Sequence, residues 1–546
     1  MAFYKKTPDI IIRNGKIADG TGKDSYYADI AIIGDKIDYI GNLRDVKAKL
    51  EIDASGKYVT PGFIDSHTHS DQTIWGNPEA QSAVRQGVTT EIVGNCGLTK
   101  GTLMNGVEYD EKSKGIDCIY NLSGPDYPKG SVAATLDKVE QMGTSINTAW
   151  FLGHNGLRTI AGINTTEYTE EQFKTMADFL REAMEAGFIG LSTGLEFSPG
   201  ILSKPEEVER LAEIVAEYDG NYSSHIRDEG TYLFEAIEEF LNVIRKTGLR
   251  GTVSHLNVKY DNGIPQEYLW RGMDILKDAR STEHLNVYTD MLPTVFNSGE
   301  AFAMLPPWLY ADGWEKAKEI LSDPEGREKV KGDMCRYWRY LANGQWDRLL
   351  YIQPSYAPEI AVTPFSKLVE QSGKEPCDVF LDIIMSAPTM QDANKCAMQG
   401  IGFHEQVMID SVVRDPIYLW MTDSMVAVED GPLAKNTTNL QYFMSMTHFF
   451  AHYVRDLKAI SLEKALMKVS SIPACHYHLE KRGMLVEGYY ADINVFDLDK
   501  LKVNGDFVTP NKYSTGMDYV IINGVPVIAK GEHTLTRPGK VLRHKA

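Results

Sequence analysis

Cysteine is scarce in this 546-residue chain: Cys96, Cys118, Cys335, Cys377, Cys396 and Cys475 are scattered, with no short CxxC pair. That usage argues for free thiols in a reducing cytoplasm. No run approaches the ~20 consecutive apolar residues of a membrane span, and no apolar stretch follows the two lysines of the opening Met-Ala-Phe-Tyr-Lys-Lys-Thr-Pro-Asp. Neither a membrane anchor nor a secretory leader is therefore expected. Basic residues are in deficit, 56 Lys and Arg against 75 Asp and Glu, for a formal net charge of −19. With no basic surplus to neutralise phosphates, a nucleic-acid partner is not expected. A small-molecule substrate is compatible, because local charge in a cleft can oppose the total. Low-complexity segments and short-period repeats are also missing. The remainder, 43% hydrophobic and 24% charged, is ordinary for a globular protein. The oligomeric state is left open.

Both ends read as β-structure. Ile10-Ile11-Ile12-Arg13-Asn14-Gly15 leads into Lys16-Ile17-Ala18-Asp19-Gly20, and Tyr519-Val520-Ile521-Ile522-Asn523-Gly524 leads into Val525–Lys530. Each is a β-rich run, an Asn-Gly turn and a second run, which is a hairpin signal. Further strands fit Ala28–Ile33, Lys36–Ile40 and Ala491–Phe496. Two β-rich ends with open edges are expected to pair, giving a small β-sandwich domain from residues 1–61 and 480–546.

The middle, residues 62–479, alternates strands with helices. Helical patterns cover Glu170–Ala186, Pro205–Tyr218 and Tyr232–Thr247. Strand candidates are Gly62–His67, Val88–Gly94, Asn147–Leu152, Phe188–Thr193, Asn221–His225, Thr252–His255, Asn286–Asp290 and Ile417–Asp423. Eight βα repeats predict an α/β fold with a closed (β/α)₈ TIM-like barrel, against the alternative of an open doubly wound sheet. The 291–416 gap is too long for one loop and helix. Its proline- and aromatic-rich Leu305–Tyr310 and helix-like Trp314–Leu321 mark an inserted lid-like segment at approximately 291–350.

Polar residues gather at the strand ends. In Pro61–His69, side chains alternate faces, so Asp65, His67 and His69 project together. At the C-terminal end of a barrel strand that face is the active-site mouth. Two imidazoles so spaced can share a metal, with Asp65 as a further ligand or supporting partner, although a lone His-x-His is equally a pair of structural histidines. Cys96 follows the second strand in Gly94-Asn95-Cys96-Gly97, either as a buried thiol or as a thiolate ligand of the kind zinc favours beside imidazole. His225 and His255 end consecutive strands, which chance placement does not readily produce. Asp423 ends Leu419-Trp420-Met421-Thr422-Asp423, as a helix cap or as the proton-transferring carboxylate beside a metal site.

This pattern resembles the amidohydrolase superfamily, and within it the D-aminoacylase (N-acyl-D-amino-acid deacylase) branch. The matching stretches are Pro61–His69, Gly94-Asn95-Cys96-Gly97, Gly187–Glu196, Ser224–Gly230, Ser254-His255, Ala451–Arg455 and Arg482–Asp497. The resemblance spans almost the whole chain, and Gly-Asn-Cys-Gly is its most branch-specific motif. It implies that Cys96, His225 and His255 hold a tight Zn2+, that His67 and His69 frame a weaker second site, and that Asp423 moves the proton. It also implies that the insertion is that branch's small lid-like domain.

Three departures bear on specificity. D-aminoacylases carry a lysine two residues after the strand-six histidine, where this chain has Asn257, with Lys259 two further on. They carry an arginine after the strand-eight aspartate, where residues 428–435 hold none and end in Lys435. The tyrosine usual after Gly-Leu-Glu is Phe197. Either Lys259, Arg158, Arg227 or Lys435 takes over the substrate carboxylate, or the substrate lacks one. The expected activity is zinc-dependent hydrolysis of an N-acyl-D-amino acid or related amide. A hydrolase of another amide, lactam or lactone is the nearest alternative, and a non-catalytic binding scaffold on the same fold is the alternative of a different class.

Overall fold

A computed structural model describes the chain apart from residues 1–3, 100–131, 197–198, 231, 259–266, 293, 301–304, 310–312, 334–348, 353–355, 361–362, 389–392, 394–396, 402–404, 432–433, 435–438, 508 and 546. Its centre is an eight-stranded, all-parallel sheet that follows chain order: Phe63–Asp65, Val88–Val93, Asn147–Gly153, Gly190–Gly194, Asn221–His225, Arg250–Val253, Val287–Met291 and Tyr418–Trp420. The first and last strands meet through a Thr68–Ser424 bridge. Backbone bonds from the Asp423 amide to the His67 carbonyl (3.1 Å) and from the His69 amide to the Ser424 carbonyl (2.7 Å) complete that seam. The fold is thus a (β/α)₈ barrel, and the seam lies at the mouth where His67, His69 and Asp423 stand.

The helices form where local signals and burial agree. Glu170–Ala186 starts in a capping box made by Thr169 and Gln172 and ends at Gly187, whose φ of 102° is in the left-handed region. Its buried Phe173, Met176, Leu180, Ala183 and Met184 keep helical spacing along one face. Pro205–Ala216 and Leu233–Thr247 bury their apolar stripes in the same way.

The two ends join in one nine-stranded mixed sheet. The junction is antiparallel pairing of Tyr58–Pro61 with Ile493–Phe496, and Ile10, Ile12, Ile17, Ile30, Ile32 and Val495 pack its inner core. The expected C-terminal hairpin forms: Ile522 pairs with Val525 across Asn523-Gly524, both at positive φ (48° and 77°). The expected N-terminal hairpin does not. Ile10–Ile17 is one strand, and Asn14-Gly15 makes a bulge in its pairing with Tyr26–Ile33. A Cβ on Gly15 would lie 2.4 Å from Val59 Cγ2, so the glycine serves close packing rather than chain reversal.

Between the seventh and eighth barrel strands lies the insertion. It contains an antiparallel three-stranded sheet (Phe296–Glu300, Leu349–Ile352, Ala397–Ile401) and the helices Trp314–Ser322, Pro324–Asp333, Phe365–Ser372 and Pro376–Met385. These elements continue to Ile401, beyond the 291–350 stretch. Leu309, Trp314, Leu321, Phe365, Phe380 and Ile384 give the insertion a core of its own. Among the described residues, no helix is long and apolar enough to cross a membrane.

Candidate metal centre

Six side chains predicted from five strand ends converge at the barrel mouth. Cys96 Sγ lies 3.3 Å from His67 Nε2 and 3.4 Å from His255 Nε2, and His225 Nδ1 lies 2.9 Å from His255 Nε2. His69 Nε2 is 3.1 Å and His67 Nε2 3.5 Å from Asp423 Oδ1. Among the described residues three groups could each hold a metal ion: His67–Cys96–His255, His67–His69–Asp423 and His225–Glu229–His255. They overlap through His67 and His255, so they describe adjoining positions in one cluster. Zinc bonds of ~2.3 Å to sulfur and ~2.0–2.1 Å to nitrogen, at tetrahedral angles, separate the donors by about 3.4–3.6 Å. The Sγ–Nε2 spacings are close to that, and the soft donor set suits zinc.

The backbone is strained to achieve this. Cys96, His255 and Asp423 have φ of 53°, 37° and 48°. Such conformations cost a non-glycine residue of order 1–3 kcal/mol and concentrate at functional sites. Gly97 makes the Cys96 turn possible, because a Cβ there would meet the Gly194 amide nitrogen at 2.6 Å.

The electrostatics follow from burial and crowding. Burial raises the Cys96 thiol, but the neighbouring His67 and His255 outweigh it and hold the pKa well below its ordinary value. Burial opposes charge on His67, yet Cys96 and Asp290 raise its pKa well above normal. Against the same burial, Asp423 and Cys96 lift His69 to about 9, and Glu229 and Cys96 lift His255 to about 10. The thiol and carboxylates thus call for positive charge at this point, which a divalent cation supplies. Burial raises Asp423 too, but bonding to His69 and the charge of His67 keep it below the usual carboxylate range. Its side chain is 24% exposed, against 0% for His67 and 11% for His69. Residues 424–431 after it are not helical, so the helix-cap alternative does not apply.

The sequence profile of the Amidohydrolase family matches residues 50–323 and 429–528. The chain belongs to that family. Among curated proteins it is 26% identical over 539 residues to a D-aminoacylase from Alcaligenes xylosoxydans xylosoxydans, covering 98% of each chain. An N-acyl-D-glutamate deacylase from the same organism matches at 26% over 98% of this chain and 97% of the relative. Among solved structures, N-acyl-D-glutamate deacylase from Bordetella bronchiseptica, complexed with zinc and a phosphonate inhibitor, has a TM-score of 0.79 at 26% identity, covering 98% of this chain and 100% of that one. A D-aminoacylase structure has a TM-score of 0.78 at 24% identity, covering 98% and 99%, and supports the fold.

Three carboxylates of this amidohydrolase's centre were not among the expected site residues. Glu196 Oε2 meets His225 Nε2 at 2.8 Å, and Glu229 Oε1 meets His255 Nδ1 at 2.8 Å. Each leaves the other ring nitrogen facing the cluster, the usual support of a ligating histidine. Asp290 Oδ2 lies 3.4 Å from His67 Nδ1. Their signals were available: Glu196 and Glu229 sit inside the motif stretches 187–196 and 224–230, and Asp290 ends an expected barrel strand. Asp65 lies outside all three groups. It accepts from the Thr422 amide (3.0 Å) and hydroxyl (2.6 Å), tying strand one to strand eight.

The expected substrate-binding cations are placed as follows. Arg158 is fully buried and donates to Glu207 Oε2 (2.6 Å) and to the Thr165 carbonyl. His154 bonds the other Glu207 oxygen at 2.7 Å. Arg227 makes a two-pronged contact with Glu239, both bonds 2.8 Å. Asn257 is buried and donates to the His255 carbonyl at 2.7 Å. Phe197, Lys259 and Lys435 lie outside the described residues.

Proposed function

We propose that this amidohydrolase is a zinc-dependent, D-aminoacylase-like enzyme. It cleaves an N-acyl-D-amino acid or related N-acyl compound into a carboxylate and an amine. The observation that carries the reading is the cysteine–histidine cluster with Asp423 beside it, Sγ–Nε2 spacings of 3.3 and 3.4 Å, at the mouth of the barrel. On this reading Cys96, His225 and His255 hold one tight zinc, and His67 and His69 frame a second, weaker site. Zinc held there supplies a Lewis acid that polarises the scissile carbonyl and lowers the pKa of water towards ~7. Asp423, the most open of these side chains, accepts the proton of the attacking water and returns it to the leaving amine. Glu196 and Glu229 keep the rings of His225 and His255 turned inward.

The matched charges favour a particular substrate class. A buried substrate carboxylate needs a cationic or multiply hydrogen-bonding partner. Arg158 and Arg227 already answer Glu207 and Glu239, and Asn257 brings no charge. Lys259 and Lys435 lie outside the described residues. With both arginines engaged, we read the substrate, within the N-acyl class, as an amidated or otherwise neutral compound, handled in the cytoplasm as the few, scattered cysteines suggest.

Metal analysis of the purified protein, with a hydrolysis screen over N-acyl-D- and N-acyl-L-amino acids, amidated dipeptides and lactams, tests the reading. Bound zinc and turnover of an N-acyl compound are expected. Protein that neither retains a transition metal nor takes one up would leave a binding scaffold. Zinc with turnover confined to lactams would replace the deacylase assignment.

A further inference from the structure

The Asp290 carboxylate has no place in the chemistry above, yet it touches two of the cluster's histidines. It stands near the end of the seventh barrel strand and is completely buried. Oδ1 accepts the backbone N–H of His255 at 2.7 Å. Oδ2 faces His67 Nδ1 at 3.4 Å, an ion-pair contact that is not closed as a hydrogen bond, and among the described residues neither atom has another hydrogen-bond partner. His255 is the residue held at a φ of 37°, where a bulky side chain is disfavoured. His67 presents Nε2 both to Cys96 Sγ and to Asp423 Oδ1.

We propose that Asp290 is a positioning residue of the metal centre. One carboxylate pins the strained backbone of His255 and keeps the proton of His67 on Nδ1, so that the Nε2 lone pair points into the cluster. The inference rests on the metal-binding reading above. It differs from the roles of Glu196 and Glu229, each of which orients one ring, because Asp290 couples a ligand candidate of strand one to one of strand six. An amide cannot replace it. The side chain introduced by Asp290→Asn would offer one oxygen and one N–H₂ group, so only one of the two partners, the His255 amide or an Nδ1–H of His67, could be satisfied.

The test compares wild type with Asp290→Asn. Supporting carboxylates of metal-bound histidines contribute typically ~10–100-fold in affinity, so zinc affinity should fall by that factor. The visible absorption of the cobalt-substituted protein should change, and the melting temperature of the metal-free protein should stay within a few degrees of wild type. Unchanged zinc affinity with an unchanged cobalt spectrum overturns the proposal. A wild-type protein that binds no metal overturns the reading beneath it instead. Should Asp290→Asn fail to fold, cadmium-113-loaded wild type with nitrogen-15 histidine decides. Coupling of cadmium to His67 Nε2 with the proton on Nδ1 supports the proposal, and the reverse tautomer sinks it.

Discussion

Cys96→Ala is the sharpest perturbation of the proposed centre, because it removes a donor atom and little else. Alanine keeps the Cβ, so the left-handed backbone at φ 53° is as strained in the variant as in the parent. The side chain is 4% exposed, and losing one sulfur from a packed site costs of order 1 kcal/mol of fold stability. The effect on metal is larger. A four-ligand zinc contributes about 10–16 kcal/mol in small structural sites. That is of order 3–4 kcal/mol per ligand, or about 10²–10³-fold in Kd for a lost thiolate. The assay is zinc content by mass spectrometry after equilibration in chelator-buffered zinc, beside the melting temperature of the metal-free protein. At a free zinc level that saturates wild type, Cys96→Ala should be largely empty while melting within a few degrees of metal-free wild type. His67→Asn should retain most of its tight zinc. A full equivalent of zinc in Cys96→Ala would refute the ligand assignment. If His67→Asn emptied the site, the tight set would be His67–Cys96–His255, which the distances also bring together.

Asp423→Asn should keep its zinc and lose about 10²–10⁴ in kcat, the usual contribution of a proton-transferring group; near-normal turnover would remove Asp423 from the chemistry. Amidated N-acyl substrates should match or exceed the free acids in kcat/KM. A clear preference for free N-acyl-D-amino acids would refute the neutral-substrate reading, and its loss in Lys259→Ala or Lys435→Ala would identify the side chain that binds the carboxylate. Glu207→Gln should destabilise the fold by about 3–5 kcal/mol at neutral pH, since Arg158 is left buried and unmatched; denaturant unfolding measures it. Burial raises the Glu207 carboxyl, but His154 and Arg158 outweigh it and hold it below its ordinary 4.5. Its stabilisation is therefore complete above the unfolded value and lost as pH falls through the folded one, so the gap between wild type and Glu207→Gln should narrow in acid.

The barrel was legible because each strand carries its own signal, a short β-rich run with a turn or helix behind it, and several add a polar residue at or just past the C-terminal end. All eight expected strands lie at the positions of the eight parallel strands, and His67, Cys96, His225, His255 and Asp423 could be picked out one strand end at a time. What those residues touch is a different kind of fact. Asn14-Gly15 carries the same local turn signal as Asn523-Gly524, yet the first is a bulge and the second a hairpin. Val59, which is distant in the chain, decides this by packing on Gly15. Likewise Arg158 looked like a spare cation, until a helix some fifty residues on placed Glu207 against it. Asp290 reaches His67 only because the sheet closes, which brings the seventh and eighth strands round to the first. Periodicity and turn chemistry are properties of neighbours in sequence and are written there. The pairing of buried charges and the lines between supporting carboxylates and imidazoles depend on barrel closure, and only the tertiary structure decides them.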